Sequence, residues 1–340
     1  MKLKELASHL RLSQTTVSRA LNGYPEVSEE TRRRVMEAAR RHGYQPNASA
    51  RRLATGRAGA IGIVMPTDHN MLLDPHYIEF QAGLGETLMR DEIDIVLTPS
   101  VADDEAATYR RIAVGERVDA VVLSSPRVSD PRIELLTSLR LPFVLHGRTQ
   151  SPIPHAWLDI DNEGAFQHAT KHLLDLGHRR IGLINGDPGQ TFARDRERGF
   201  RNALAARGLA PDERLIANGV MTDDVGYRIT AGFLAEQPRP TALLVSSMMM
   251  SLGAFRAIRA AGLELGRDVS MIAHDDVFPF LNPDAMVPTM STTRSSIRSA
   301  GKRVGELLLD LLAGRAPASI HELWPVELVV RGSTGPAPRD

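Results

Sequence analysis

Gln14, Thr15, Ser18, Arg19 and Asn22 recur at the spacing of one helical face. Their amides, hydroxyls and single guanidinium are the groups that bond to base edges and phosphates. A second set of chemically capable residues follows short apolar runs further along the chain. Asp68, His69, His76 and Tyr77 come after Ile63-Val64-Met65, Ser124 and Ser125 after Val121-Val122-Leu123, and His146 and Arg148 after Val144-Leu145. Asp159, Asp161 and Asn162 come after Trp157-Leu158, and Asn185, Asp187, Arg194 and Arg196 after Gly182-Leu183-Ile184. Ser246 and Ser247 end Leu244-Val245, and His274, Asp275 and Asp276 end Met271-Ile272. In open parallel sheets, ligands bind beyond the carboxyl ends of the strands. Carboxylates, amides, hydroxyls and guanidinium groups gathered there would give a polyol paired donors and acceptors. Tyr77, Trp157 and Phe278 could cover its apolar side. For any single residue the alternative is a helix cap or a loop hydrogen bond.

The elements that must hold the first set are short. Leu3, Leu6, Ala7 and Leu10 form the apolar stripe of a helix. Arg11-Leu12 leaves room only for a tight turn. Ser13 can cap a second helix whose buried face is Val17, Ala20 and Leu21. A third helix is expected from about Glu29 to His42, capped by Ser28. Glu29 and Glu30 sit at the positive end of its dipole, Val35, Ala38 and Ala39 face inward, and Gly43 marks its end. Two short helices joined by a tight turn and braced by a third make a helix-turn-helix. Tyr44-Gln45-Pro46 closes the unit, because a residue before proline disfavours continued helix.

The chain has 340 residues and zero formal net charge, but residues 1–60 hold 12 Lys/Arg against 5 Asp/Glu, and the remainder 29 against 36. Positive charge concentrated at one end is the footprint of a phosphate-binding module. With 42% hydrophobic residues the chain can bury more than one core. There is no run of about 18 apolar residues and no apolar segment behind Met1-Lys2-Leu3-Lys4-Glu5, so neither a membrane span nor a secretory signal is expected. The absence of cysteine removes disulfides and thiol chemistry. A cytoplasmic protein without cofactor or metal is the expectation.

The stretch Leu12-Ser13-Gln14-Thr15-Thr16-Val17-Ser18-Arg19-Ala20-Leu21-Asn22-Gly23, with Val27-Ser28-Glu29-Glu30-Thr31-Arg32 and Gly43-Tyr44-Gln45-Pro46-Asn47, resembles the DNA-binding domain of the lactose/galactose repressor (LacI/GalR) family. The likeness extends more loosely over the rest of the chain. It implies that Gln14 and Thr15 open a recognition helix that reads bases in the major groove. Ser13, Thr16, Ser18, Arg19 and Asn22 would contact bases or phosphate, and Ser28, Tyr44, Asn47 and Ala50 join the DNA-facing set. Asn47–Gly56 is too short for a stable isolated helix. By the resemblance it is a hinge helix that folds on DNA, with Leu53 as the wedge that opens the central base step. The plain alternative is a linker. The partners implied are a palindromic operator in duplex DNA, a second copy of the chain, and a small-molecule sugar.

From Ala60 the pattern changes to short apolar runs alternating with longer helical ones. The runs are 60–65, 93–98, 118–124, 142–146, 181–185, 241–246 and 269–274. Helical patterns between them include Tyr77–Met89, Glu163–Leu176, Arg198–Arg207, Val225–Ala235 and Leu252–Ala261. Repeated βαβ gives parallel sheet with helices on both faces. There are too many alternations for one sheet. The expectation is an α/β chain with a headpiece at 1–46, a hinge at 47–59 and two doubly wound subdomains. These are about 60–159 plus 292–319 and about 160–291 plus 320–332, crossing near 158–162, 289–294 and 319–325. Helix Ser296–Leu312 should return to the first and strand Glu327–Arg331 to the second. The Gly/Pro-rich residues 333–340 read as a flexible tail, which favours a dimer. This resembles the type I periplasmic-binding-protein architecture of the family's core. By the family pattern Arg196 and Asp275 grip the effector. Ser247-Met248 replaces the usual Asn-Asp, which suggests a more apolar wall. His146-Gly147-Arg148 and the Trp157–Glu163 stretch resemble the α-glucoside-type regulators.

His168 and His172 are spaced as in zinc proteases, but glutamate is missing after the first, and no phosphate loop or nucleophile elbow occurs. The expected function is a transcriptional repressor of carbohydrate-utilisation genes controlled by a sugar bound between the subdomains. Its residues would be Asp68, His69, Tyr77, Ser124, His146, Arg148, Trp157, Asp161, Arg194, Arg196, Ser247 and Asp275. Release and strengthening of DNA binding by the sugar both remain open. A solute-binding protein would need a secretory signal and no basic headpiece, and an enzyme would need a nucleophile–base pair.

Overall fold

The computed structural model describes residues 1–21, 23–44, 56–67, 74–101, 104–275 and 277–338. The chain divides into two compact units, Met1–Gly59 and Ala60–Asp340. In the first, helices α1 (Leu3–Leu10), α2 (Gln14–Leu21) and α3 (Glu29–Arg41) follow the apolar spacing of the sequence. Leu6, Val17 and Val35 are wholly buried where the three meet, and Ala7, Ala20 and Ala39 let the backbones approach. Arg11 turns left-handed at the end of α1, and the Ser13 hydroxyl accepts from the Thr16 amide at 3.0 Å, which starts α2. Ser28 accepts from the Thr31 amide at the start of α3.

The second unit holds two six-stranded sheets. Strands β1 (Ala60–Pro66), β2 (Asp94–Ser100), β3 (Ala120–Ser124), β4 (Phe143–His146), β5 (Ala156–Ile160) and β11 (His321–Trp324) form the first, in the order β11-β5-β4-β3-β1-β2, all parallel. Strands β6 (Ile181–Asn185), β7 (Ile216–Asn218), β8 (Ala242–Val245), β9 (Ser270–Asp275), β10 (Ser291–Arg294) and β12 (Glu327–Val329) form the second, in the order β12-β10-β9-β8-β6-β7. Only β12 is antiparallel to its neighbour. Central strands such as β1 and β6 are buried along almost their whole length because helices cover both of their faces. This is the expected α/β architecture.

Three expectations are corrected. Ser291–Arg294 belongs wholly to the second sheet, where Thr292 and Thr293 pair with Ala273 and His274. His321–Trp324 belongs to the first sheet, where His321 pairs with Trp157, so the split expected at residue 320 falls after Trp324. Residues 333–338 do not fray. Ser333 is fully buried, exchanges bonds with the Met271 backbone, and its hydroxyl accepts from the Ser291 amide. The Gly335 amide donates to Ser270, and the Ala337 amide to the Leu176 carbonyl. Small residues read as loop in a sequence, yet their unencumbered backbone is what lets a terminal segment lie against the starts of β9 and β10 and satisfy its polar groups.

Helix α4 (Pro75–Leu88) and helix α11 (Ile297–Leu312) cover one face of the first sheet in contact with each other. They cross where Gly83 meets Gly301: a Cβ at Gly83 would lie 2.0 Å from the Arg298 carbonyl oxygen, and one at Gly301 2.1 Å from that of Phe80. Backbone cannot yield there as a side chain would. Gly301→Leu is expected to cost ~3 kcal/mol or more and to lower the thermal midpoint by about 5–10 °C, read by calorimetry.

His178 holds the terminal segment from beneath, with Nε2 3.1 Å from the Gly335 carbonyl and Nδ1 2.9 Å from Thr241. Burial pushes its pKa below the ordinary 6.5. A depressed folded-state pKa means the unfolded chain takes up the proton first as pH falls. The stability His178 contributes is therefore complete above about 6.5 and is lost progressively below it. Urea midpoints should fall between pH 7 and pH 5. His178→Gln should be less stable at pH 7 and lose less over the same range.

Candidate functional site

On α2 the buried side is Val17 and Ala20, which leaves Gln14, Thr15 and Arg19 exposed and Ser18 half-exposed on the opposite side. Ser13 and Thr16 flank them, their hydroxyls 2.8 Å apart at the helix start. Ser28 is exposed but committed to its cap. Tyr44 packs on the headpiece core, where burial raises its phenol pKa. Asn22, Asn47, Ala50, Leu53, Asp68 and His69 lie outside the described residues. The sequence missed the role of Arg32. Its guanidinium turns inward, 2.6 Å from Glu29 and 2.9 Å from the Tyr24 carbonyl, and so ties the 23–27 connection to α3. Arg33 and Arg34 stay exposed.

Within the second unit a cleft of about 1010 Å³, counting its open part, lies between the two sheets. Four of the expected effector residues line it: Tyr77, Ser124, His146 and Arg196. Arg196, on helix α8 (Thr191–Ala205), is 5% exposed. Its Nε donates to Asn162 Oδ1 at 2.8 Å and its Nη1 to the Ser246 carbonyl at 2.7 Å. The guanidinium lies 4.9 Å from the Phe192 ring centre and 5.2 Å from that of Phe166. A cation so flanked and so bonded is fixed in direction, which is what a donor to a hydroxyl pair needs. Opposite it, His146 stacks on Phe80 at 4.7 Å, and His76 is held by Asp74 at 2.8 Å, edge-on to Phe278. The Tyr77 phenol pKa is raised well above its usual range by burial.

Arg148 stands at the rim. It bonds Asp159 at 2.8 Å and reaches Asp195 of the other subdomain at 3.4 Å. Burial raises the Asp159 carboxyl pKa despite that guanidinium. Trp157 turns away to stack on His321 at 5.1 Å. Asp161 caps helix α7 (Asn162–Asp175), and Ser247 caps helix α10 (Met248–Ala260). Arg194 faces outward. Asp275 is 2% exposed and accepts from the Val277 amide at 2.8 Å. Arg148, Trp157, Asp161, Arg194, Ser247 and Asp275 are not among the described residues that line the cleft. Asn162, one of the strand-end groups, lines it, and so do Gln190, Phe192 and Ser295, which the strand-end pattern does not reach. The signal for Asn162 was its place after Trp157-Leu158. Ser295 was hidden because β10 read as a crossover. Ser125, which lines the cleft, has a positive φ of 51°, and such strain collects at ligand sites.

A profile described as bacterial regulatory proteins, lacI family, matches residues 2–47, and one described as a periplasmic binding protein-like domain matches residues 170–334. The HTH-type transcriptional regulator AglR of Rhizobium meliloti is 50% identical over 99% of this chain and 95% of its own length. The chain belongs to the LacI family of bacterial regulatory proteins. Its fold is shared with the Lac repressor dimer bound to operator and the anti-inducer ONPF, at TM-score 0.84 and 25% identity over 98% of this chain and 99% of that one. The transcriptional regulator CelR–cellobiose complex matches at TM-score 0.73 and 28% identity over 98% and 99%. The helix-turn-helix and the two-sheet core are thus those of a LacI-type transcriptional regulator. No described helix is long and apolar enough to cross a membrane.

Arg32→Ala should cost the headpiece ~1–2 kcal/mol through its lost carbonyl bonds, while Arg33→Ala and Arg34→Ala change it by less than ~0.5 kcal/mol. Hydrogen exchange of headpiece amides in the full-length chain distinguishes these outcomes.

Proposed function

We propose that this LacI-family protein is a homodimeric repressor of carbohydrate-utilisation genes, acting on chromosomal DNA in the cytoplasm and controlled by a neutral sugar, with α-glucosides the favoured class. The observation that carries the reading is the fixed guanidinium of Arg196 in an aromatic-walled cleft, on the same chain as an outward α2 face of Gln14, Thr15, Ser18 and Arg19. The names of similar proteins support it, since one is a complex with cellobiose and another is bound to its operator. Each α2 reads one half of a palindrome, so the two-fold axis of the dimer becomes that of the operator. The sugar acts by binding rather than turnover. Closure of the two subdomains around it couples to the headpieces, a coupling typically worth about 1–3 kcal/mol.

Selection from random duplexes tests the DNA reading. Full-length protein should enrich one palindrome, and Arg19→Ala should lose about 1–3 kcal/mol of discrimination against random duplex while remaining dimeric. Enrichment of the same palindrome by Arg19→Ala, with unchanged affinity, removes α2 as the reader. Arg196→Ala should keep operator binding and lose its response to every sugar that shifts the wild type in a gel-shift titration. A retained response moves the sugar away from Arg196.

A further inference from the structure

The cleft has a second chamber of about 880 Å³, counting its open part, and the two share Tyr77, Ser124, Ser125 and Gln190 as common wall. Buried Ile63 and Val64 of β1 and Val122 of β3 form its apolar wall. Four charged side chains face it: Glu105, Arg127, Arg132 and Asp187. Arg132 is itself fixed, bonded to Asp130 at 2.7 Å, Glu105 at 3.1 Å and the Ser124 carbonyl at 3.1 Å. Tyr109, fully buried behind it, points its hydroxyl at the same Glu105 oxygen at 3.3 Å. None of these four charged groups lines the chamber that holds Arg196.

A strap runs between the subdomains beside both chambers. Arg127 and Gln190 pair as an isolated antiparallel bridge, and the Thr191 amide donates to the Pro126 carbonyl at 3.0 Å. Pro126 and Thr191 line the first chamber, and Arg127 lines the second. Whatever occupies both therefore passes Tyr77 and lies against backbone contributed by both subdomains.

We infer that the ligand is a disaccharide or longer neutral glycoside, with one ring against Arg196 and the next in the chamber of Glu105, Arg127 and Asp187. This rests on the sugar reading above and names its class. The second chamber presents an apolar wall to the C–H face of a ring and charged groups around it to the hydroxyls, the division a pyranose needs. Its two carboxylates balance its two guanidiniums, so it offers no excess positive charge to a phosphate ester. A single ring fills one chamber and leaves the other's polar groups to water.

Calorimetric titration of the full-length protein tests this with α- and β-linked glucosyl disaccharides, the matching methyl monoglucosides, and glucose 6-phosphate. At least one disaccharide should bind about tenfold or more tighter than its single-ring counterpart, the gain that one or two hydrogen bonds to charged groups supply. Arg127→Ala and Glu105→Gln should each bring that ratio close to one while single-ring affinity stays within about twofold. Arg127→Ala carries the test if loss of the Arg132 pairing keeps Glu105→Gln from folding. A monoglucoside that binds as tightly as every disaccharide, or variants that weaken both ligands alike, would overturn the two-chamber assignment and leave the sugar reading standing, whereas preference for the phosphate ester would overturn both it and the neutral-sugar reading. Failure of any carbohydrate to bind would overturn the sugar reading itself.

Discussion

The core of this protein turns on one buried guanidinium. Arg196 joins α8 to Asn162 at the head of α7 and to the carbonyl that ends β8. Taking a charge out of water is costly unless its donors are satisfied and its direction is fixed. Here two acceptors and two aromatic faces do both. Asn162 donates in turn to Asp159 at 3.4 Å, and Asp159 accepts from Arg148. A chain of polar contacts thus leads from the floor of the second subdomain to the rim of the first. A ligand that competes for Arg196 acts on a group already tied to both sides.

The contacts within each subdomain differ in kind from those between them. The helix pair α4–α11 is locked by backbone contact at Gly83 and Gly301, deep within the first subdomain. The contacts that cross the cleft are of another kind: the Arg148–Asp195 pair at 3.4 Å and the short strap at Pro126–Thr191. Partly exposed ion pairs and single backbone bonds are each worth about 1 kcal/mol. Rigid subdomains joined by weak cross-cleft bonds make a structure in which a ligand of modest affinity can shift the population of closed forms.

The helix-turn-helix was legible because it is local. Capping serines, apolar spacing and the turn at Arg11 all lie within a few residues of what they determine. The strands at the later crossovers were not legible as runs, because they fell where the chain was expected to cross between subdomains. Ser291–Arg294 and His321–Trp324 are short and could pair with either sheet by composition. Cleft residues divided in the same way. Ser124 and His146 end strands, Tyr77 lies in the first turn of α4 and Arg196 in the second turn of α8, and all four line the cleft. Asp161 and Ser247 satisfy the strand-end rule but spend their oxygens on helix caps, because the first amides of a buried helix need an acceptor.

Residue order alone therefore determined the three-helix head, its outward polar face, the basic charge concentrated there, and a two-subdomain α/β body, since each follows from periodicity or from residues close in sequence. Tertiary structure alone decided which strand-end groups face the cleft, that Arg32 braces a loop rather than facing outward, that residues 333–338 dock, and that a second chamber opens beyond Tyr77. Those outcomes depend on competition between distant partners for the same donors and acceptors. Only packing brings such partners within hydrogen-bond reach.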